Sequence, residues 1–335
     1  DKVKELPAYQ SDANYYLGYI AYQLEDFEEA NRNFDKLNNS SDDNTIGYFQ
    51  ADMNFKLGRF DQAILLAKPS LKGADEKETS ELSKIIGESY FNLKDYRSAL
   101  PFLIAYKSKR GKWNNTDYYQ LGYTHYRVNE YENAIAQFNK IINGKNAVAQ
   151  NAYYHLADSY LQTDQKTAAL NAFKRAAEMK FDAIIAEDAL LNYARLSYEI
   201  GNSYESPSAV LQRFVATYPK NTAVNEIEEL LLDSYVNSQN FDAALALLDK
   251  FSSSDYDEAR QIVSYLKATS LYKSGQFAAA IEYYTAAIKA FNNPLIIANA
   301  TYWQAQAYFE LKEYTLALEF FQEAKPLPKF SSLDA

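Results

Sequence analysis

Apolar residues recur along this chain at i, i+3, i+4 and i+7, over stretches of ten or more residues that short polar or glycine turns interrupt. This period is typical of amphipathic helices and not of strands. Because each helical stretch is followed at once by another, the pattern predicts antiparallel helical hairpins with tight turns. The sequence therefore indicates an all-α protein.

The hairpin pattern returns about every 34 residues, which indicates an array of repeats. Each unit has a small residue in its first helix, such as Gly18 or Gly122, and an alanine in its second helix. We predict that these two small residues face each other and let the helix axes approach closely. About nine units can be recognised. The alanines that mark the period most clearly are Ala30, Ala63, Ala99, Ala134 and Ala169.

Aromatic residues recur in the same frame, and with 30 Tyr and 19 Phe they are abundant. One of them begins the second helix of many units, where we predict that it fills the wedge between the two splayed helices. Neither helix can bury its apolar face alone, so each hairpin must stack on its neighbours. These wedge residues are Phe27, Phe60, Tyr96, Tyr131 and Phe277.

The sixth unit departs most from the pattern, over residues 201–222. Its turn is longer, and Val210 stands at the alanine position. Ser206 and Pro207 are typical of the N-cap and first position of a helix, and Pro219 is expected to close that helix. We therefore place a soft boundary here, between an N-terminal array at 1–205 and a C-terminal array at 206–335 that continues the same solenoid.

At these positions the chain resembles the tetratricopeptide repeat family, over essentially its whole length. The resemblance implies a right-handed superhelical α-solenoid of about nine helix-turn-helix hairpins. It also implies a non-enzymatic scaffold that binds a protein or peptide, without a cofactor. Members that clamp a chaperone's C-terminal carboxylate carry Lys three before the small residue and Asn just after it; here Lys84 stands with Glu88, so that partner is not expected.

Three segments, at 150–157, 187–198 and 214–219, resemble the large multi-repeat envelope proteins of Bacteroidetes bacteria. The resemblance implies a periplasmic or outer-membrane-associated location, in a cell-envelope complex, and leaves a cytoplasmic one open. The chain starts at Asp1, and its last residues supply no polar capping helix. We expect the natural array to continue past both ends.

Ligands of this family commonly lie on the concave face, which the first helices line. The resemblance places there the residues three before, one after and four after each small residue. Tyrosine suits such a groove, because it offers a flat apolar ring and a hydroxyl at a low entropy cost. The predicted ligand-binding residues are Tyr15, Tyr19, Tyr22, Tyr48, Asp52, Phe55, Lys84, Glu88, Phe91, Tyr119, Tyr123, Tyr126, Tyr154 and Asp158.

Other interpretations of these rings remain open. Each ring can simply pack one repeat against the next. Stacked rings with nearby Asn and Asp also suit a glycan or cell-wall fragment. A third hypothesis is a regulatory repeat region of a larger protein.

Charge and composition narrow the function further. The net charge is −10, which argues against nucleic-acid binding, since that usually needs a cationic face. No apolar run approaches the roughly 18 residues that a membrane span requires. Cysteine is absent, so disulfides and thiolate chemistry are excluded.

No catalytic or metal-binding motif emerges. The two histidines lack zinc-site spacing, and His125 stands at a position expected to be core. The segment 42–47 begins like a calcium loop, but Ile46 and Met53 stand where oxygen ligands are needed. The basic segment 107–112 is expected to end a helix, beside an exposed Trp113. We predict neither a metal site nor catalytic residues.

Overall fold

The computed structural model describes residues 9–37, 43–108, 112–251 and 253–327, with the side chains of 43–45 left out. Over these ranges the protein is all-α, with eighteen α-helices, two short 3-10 helices and no strand. The α-helices are α1 Gln10–Gln23, α2 Phe27–Phe34, α3 Asp43–Lys56, α4 Phe60–Ser70, α5 Glu76–Asn92, α6 Tyr96–Ala105, α7 Asn115–Arg127, α8 Tyr131–Phe138, α9 Ala147–Gln162, α10 Lys166–Glu178, α11 Ala183–Ile200, α12 Pro207–Thr217, α13 Val224–Asn237, α14 Phe241–Leu248, α15 Asp257–Lys273, α16 Phe277–Ala290, α17 Pro294–Glu310 and α18 Tyr314–Ala324.

The chain forms two compact units that divide between Tyr193 and Ala194. In the first unit the pairs α1/α2 to α9/α10 each pack as a hairpin, and each hairpin packs on the next. In the second unit α12 to α18 pack in the same consecutive way. The predicted all-α solenoid of helical hairpins is confirmed, and the boundary placed at residue 205 stays a prediction. Ser206 caps α12, with Pro207 at its first position, as expected.

The core lies where the two helices of a hairpin cross. The period-marking alanines are fully buried, and Val210 takes the same place in α12. A Cβ added at Gly18 would lie 2.7 Å from the Phe34 ring, and one at Gly122 would lie 2.9 Å from the Phe138 ring. The glycine therefore makes room for the bulky residue four positions after the alanine. Our prediction that the glycine faces the alanine itself missed this contact.

Every turn within a hairpin has one residue in the left-handed region. After α7, for example, Asn129 has φ 66°, and the Glu130 N–H donates back to the His125 carbonyl at 2.9 Å. This geometry ends the first helix and reverses the chain. The nine residues are Glu25, Gly58, Lys94, Asn129, Asp164, Gly201, Gln239, Gly275 and Lys312.

Gln239→Gly is expected to stabilise the second unit by about 0.5–1 kcal/mol, because a side chain in the left-handed region costs more than glycine's extra entropy. Urea denaturation of both proteins measures the difference. Ser238→Gly is the matched control, because its φ is −87° and glycine relieves no strain there. It adds the entropy cost to the loss of the hydroxyl's bond to the Ser234 carbonyl, so stability should fall. Equal destabilisation by both changes would contradict the expectation.

Candidate functional site

The fourteen predicted ligand-binding residues all lie on first helices of the first unit: α1, α3, α5, α7 and α9. Their spacing of four and three residues places the three positions of each helix on one side of it. We call this set of side chains the first-helix face. The structure gathers most of its members into two neighbouring groups.

The first group, the N-terminal groove, surrounds a cavity of about 460 Å³. The Tyr22 hydroxyl donates to the Asp52 carboxylate at 2.7 Å. The Lys56 ammonium lies 2.7 Å from Asp52 and 4.8 Å from the centre of the Tyr22 ring. Asp52 is therefore already neutralised by a cation of its own chain. The predicted residues that line the cavity are Tyr22, Tyr48, Asp52, Phe55, Lys84 and Glu88.

Lys84 sits at the far end of this groove. Its ammonium lies 3.1 Å from Asp117 and 3.7 Å from Glu88, and 4.7 Å from the centre of the Tyr106 ring. Burial lowers the pKa of Lys84, but the two carboxylates outweigh it and the net direction is upward. Burial raises the pKa of Glu88, although Lys84 opposes it. The Lys84 ammonium thus forms ion pairs with two buried carboxylates of its own chain.

The second group, the aromatic cluster, surrounds His155. The ring centres of Tyr123, Tyr126 and Tyr154 lie 4.8, 5.2 and 5.3 Å from that of the imidazole. The Nδ1 atom of His155 is buried without a hydrogen-bond partner. Burial, and to a lesser degree the Arg127 cation, lower the pKa of His155 to about 4. The imidazole is therefore neutral near pH 7.

Sequence reasoning passed over His155. It stands two residues before the small residue Ala157, a place held by Phe49, Ile85 and Trp303 in other units. The signal is weak, because Gln120 and the exposed Tyr16 hold the same position in two other units. The cluster is completed by Phe91 and Tyr119, whose rings lie 5.9 Å from Tyr123.

Tyrosine hydroxyls link successive first helices. Tyr126 donates to Asp158 at 3.1 Å, and Tyr154 donates to Asp188. Burial, followed by Asp158, raises the pKa of Tyr126 to about 12. These hydroxyls are engaged between repeats, so a ligand would meet the ring faces here.

Two predicted tyrosines lie outside both groups. Tyr15 packs on Phe34, with ring centres 6.4 Å apart. Tyr19 packs on Phe49 at 5.6 Å and remains 37% exposed. They begin the first-helix face without joining the groove.

The remaining motifs have structural roles. His125 is buried, as predicted, and its Nδ1 lies 2.8 Å from Glu130. The expectation that Trp113 is exposed is wrong: its indole is half-buried against Tyr106 and Tyr118, and its N–H donates to the Tyr106 carbonyl at 3.1 Å.

Two sequence features fall partly outside the described residues. The helix before the basic segment ends at Ala105, and Lys107 pairs with the exposed Glu76 at 2.6 Å, whereas 109–111 lie outside the description. Residue 42 of the calcium-like segment 42–47 also lies outside it, and 43–47 form the start of α3, with the side chains of 43–45 left out. In the part of the chain that is described, no group of three or more His, Asp or Glu is placed to hold a metal ion. Among these helices none is both long and apolar enough to cross a membrane.

A family model described as tetratricopeptide repeat matches residues 119–183 and 265–332. The match is confined to these two segments, which are similar to tetratricopeptide repeats. The first contains α8, α9 and α10 with most of α7, and therefore most of the aromatic cluster. Comparison with curated proteins gave no match.

Several solved structures resemble the chain at low similarity. The peptide-binding tetratricopeptide protein YrrB is 17% identical, with a TM-score of 0.47 over 56% of this chain and 95% of its own. MamA of MSR-1 is 19% identical, with a TM-score of 0.43 over 51% and 97%. A tetratricopeptide protein of Parabacteroides merdae is 17% identical, with a TM-score of 0.40 over 76% and 96%. Likenesses this weak do not bear on the site.

Proposed function

We propose that this protein is a non-enzymatic scaffold that binds a peptide or protein segment on the first-helix face. The observation that carries the proposal is the run of aromatic rings on consecutive first helices of a tetratricopeptide array, beside an open groove of about 460 Å³. Rings of this kind give large contact areas at a low entropy cost. Their rigid mounting on packed helices limits the cost of ordering the site when a ligand binds.

Phage-displayed random peptides selected on the full chain test this function. Selected peptides are expected to bind the double variant Tyr119→Ala plus Tyr123→Ala at least about tenfold more weakly, because buried tyrosines at interfaces commonly contribute more than 1 kcal/mol. The matched control is Tyr9→Ala plus Tyr16→Ala, which removes two exposed rings that are not on the face. Circular dichroism confirms that each variant remains folded.

Equal affinity for wild type and the Tyr119/Tyr123 variant would rule out this face as the binding site. Failure to select any peptide, together with tight binding of cell-wall fragments in a titration, would favour the glycan hypothesis. We also propose an envelope location, on the Bacteroidetes-like segments alone. Cell fractionation with antibodies to this chain tests it, and recovery only in the cytoplasm would contradict it.

A further inference from the structure

Two sites on the first-helix face, here called seats, are related by the repeat and differ in charge at one position. In the first, the Tyr22 hydroxyl bonds Asp52, and Phe27 packs on Tyr22 with ring centres 6.2 Å apart. Lys56, four residues after Asp52, fills this seat. Its ammonium pairs with Asp52 at 2.7 Å and lies 4.8 and 5.4 Å from the centres of the Tyr22 and Phe27 rings.

The second seat has the same frame three hairpins later. Tyr126 bonds Asp158 at 3.1 Å, and Tyr131 packs on Tyr126 with ring centres 6.0 Å apart. Four residues after Asp158, where the first seat has a lysine, the chain has the exposed and neutral Gln162. The anion and the two rings are thus present without the cation.

A third hairpin also places a cation at the position of Lys56. Arg127 stands at the position equivalent to Lys56 and Gln162, five residues after the small residue of its helix. Its guanidinium lies 4.7 Å from the centre of the Tyr96 ring. Tyr96 begins the second helix of the preceding hairpin, as Phe27 and Tyr131 do. Within the described residues, this position therefore holds a cation over such a ring twice.

A second carboxylate, Asp188, acts on the Asp158 charge of the second seat. Tyr154 donates to Asp188 from the hairpin of Asp158, and the amide of Asn192 donates to Asp188 at 3.1 Å. Burial raises the pKa of Asp158; the hydrogen bond from Tyr126 opposes this shift, and the Asp188 charge adds to it. Throughout the described ranges the structure shows no ion pair for Asp158 or Asp188. A half-buried carboxylate without a counter-ion is costly, and a cation placed there would relieve that cost.

We infer that a lysine or arginine side chain of the bound segment fills this second seat, with its cation against Asp158 and over the rings of Tyr126 and Tyr131. The inference rests on the proposed function and specifies the chemistry of its ligand. An organic cation on a flexible stem fits better than a metal ion, because among the described residues no third acidic or histidine ligand joins these two carboxylates.

Immobilised pools of random ten-residue peptides that differ only in a fixed central residue test the inference. The central residue is lysine, arginine, Nε-acetyl-lysine or glutamate, and the amount of full-length protein retained is measured. We expect about tenfold more retention by the lysine or arginine pool than by the acetyl-lysine pool, since only a cation can form a charge-assisted hydrogen bond with Asp158 and interact with the ring faces.

Gln162→Lys is the decisive variant, because it supplies the missing cation from the chain itself, as Lys56 does. We expect it to remove the preference for cationic pools, and Asp158→Asn to do the same. The control Ala136→Lys adds the same charge at an exposed position of α8 and should keep the preference. Thermal melts check that the variants fold.

Each other outcome has a definite meaning. If wild type binds all four pools equally, the cation seat is wrong and the scaffold function stands. If the preference survives in Gln162→Lys, the cation binds elsewhere and the inference fails. If no pool retains the protein, the proposed peptide-binding function itself fails.

Discussion

Ala134→Glu is expected to lower the free energy of unfolding of the first unit by about 4 kcal/mol, because it places an unpaired charge where no water reaches. Ala134 is fully buried at the crossing of α7 and α8, next to the Phe138 ring that covers Gly122. Because Ala134 is fully buried, no space is left at this helix crossing for a longer side chain. Since each hairpin is stabilised by its neighbours, the loss should spread to α9.

Urea denaturation followed by circular dichroism measures this loss, and hydrogen exchange locates it along the chain. Ala136→Glu is the matched control, since Ala136 lies exposed on the same helix. Its effect should stay within about 0.5 kcal/mol of wild type. Similar unfolding curves for Ala134→Glu and Ala136→Glu would show that the hairpin register is wrong.

Acidification is expected to destabilise the first unit through His155, by about 3 kcal/mol at pH 4. The native pKa of about 4 lies below the ordinary value of 6.5. Between these values the unfolded chain binds a proton that the folded chain does not, so stability falls as the pH drops from about 6.5 to 4. One pKa unit corresponds to about 1.4 kcal/mol, which gives the expected size.

His155→Phe should remove this part of the pH dependence, because phenylalanine keeps an aromatic ring in the cluster and cannot be protonated. The measurement is the free energy of unfolding of both proteins at pH 7 and near pH 4.5. Carboxylates contribute an acid dependence of their own, which both proteins share. The chain has only two histidines, so proton NMR can also follow the His155 ring directly. A His155 pKa near 6.5 in the folded protein would overturn this expectation.

Much of the fold could be predicted because its determinants are local. Helical periodicity and small residues every repeat indicated the hairpins, and the buried alanines followed from them. Ser206 and Pro207 also predicted the start of α12, because a helix cap involves only the residues of its own turn. The side chains that pack against the glycines were harder to predict. Choosing Phe138 and not Ala134 as the neighbour of Gly122 depends on how far one helix slides along the other.

A buried amide in the interior was missed entirely. The side chain of Gln150 donates to the carbonyls of Ala176 and Met179, at 3.1 and 2.7 Å, and accepts from the Asp182 N–H at 2.7 Å. Gln261 holds the corresponding connection in the second unit, donating to Ala287 at 3.0 Å. Both stand seven residues before the small residue of their helix. The sequence shows that both glutamines occupy the same position in the repeat. It does not show that the amide bonds backbone groups of a loop some thirty residues later.

By itself, the sequence determined that this protein is a stack of helical hairpins with aromatic residues along the first helices, since these features depend on spacing within one repeat. Only the tertiary structure decided which tyrosine hydroxyls bond between repeats, that the Nδ1 atom of His155 is buried and its ring neutral, and that Asp52 has a lysine whereas Asp158 has none. Those properties depend on side chains about thirty residues apart and on how far packing removes each group from water. Charge and desolvation act through space, and a linear pattern does not record them.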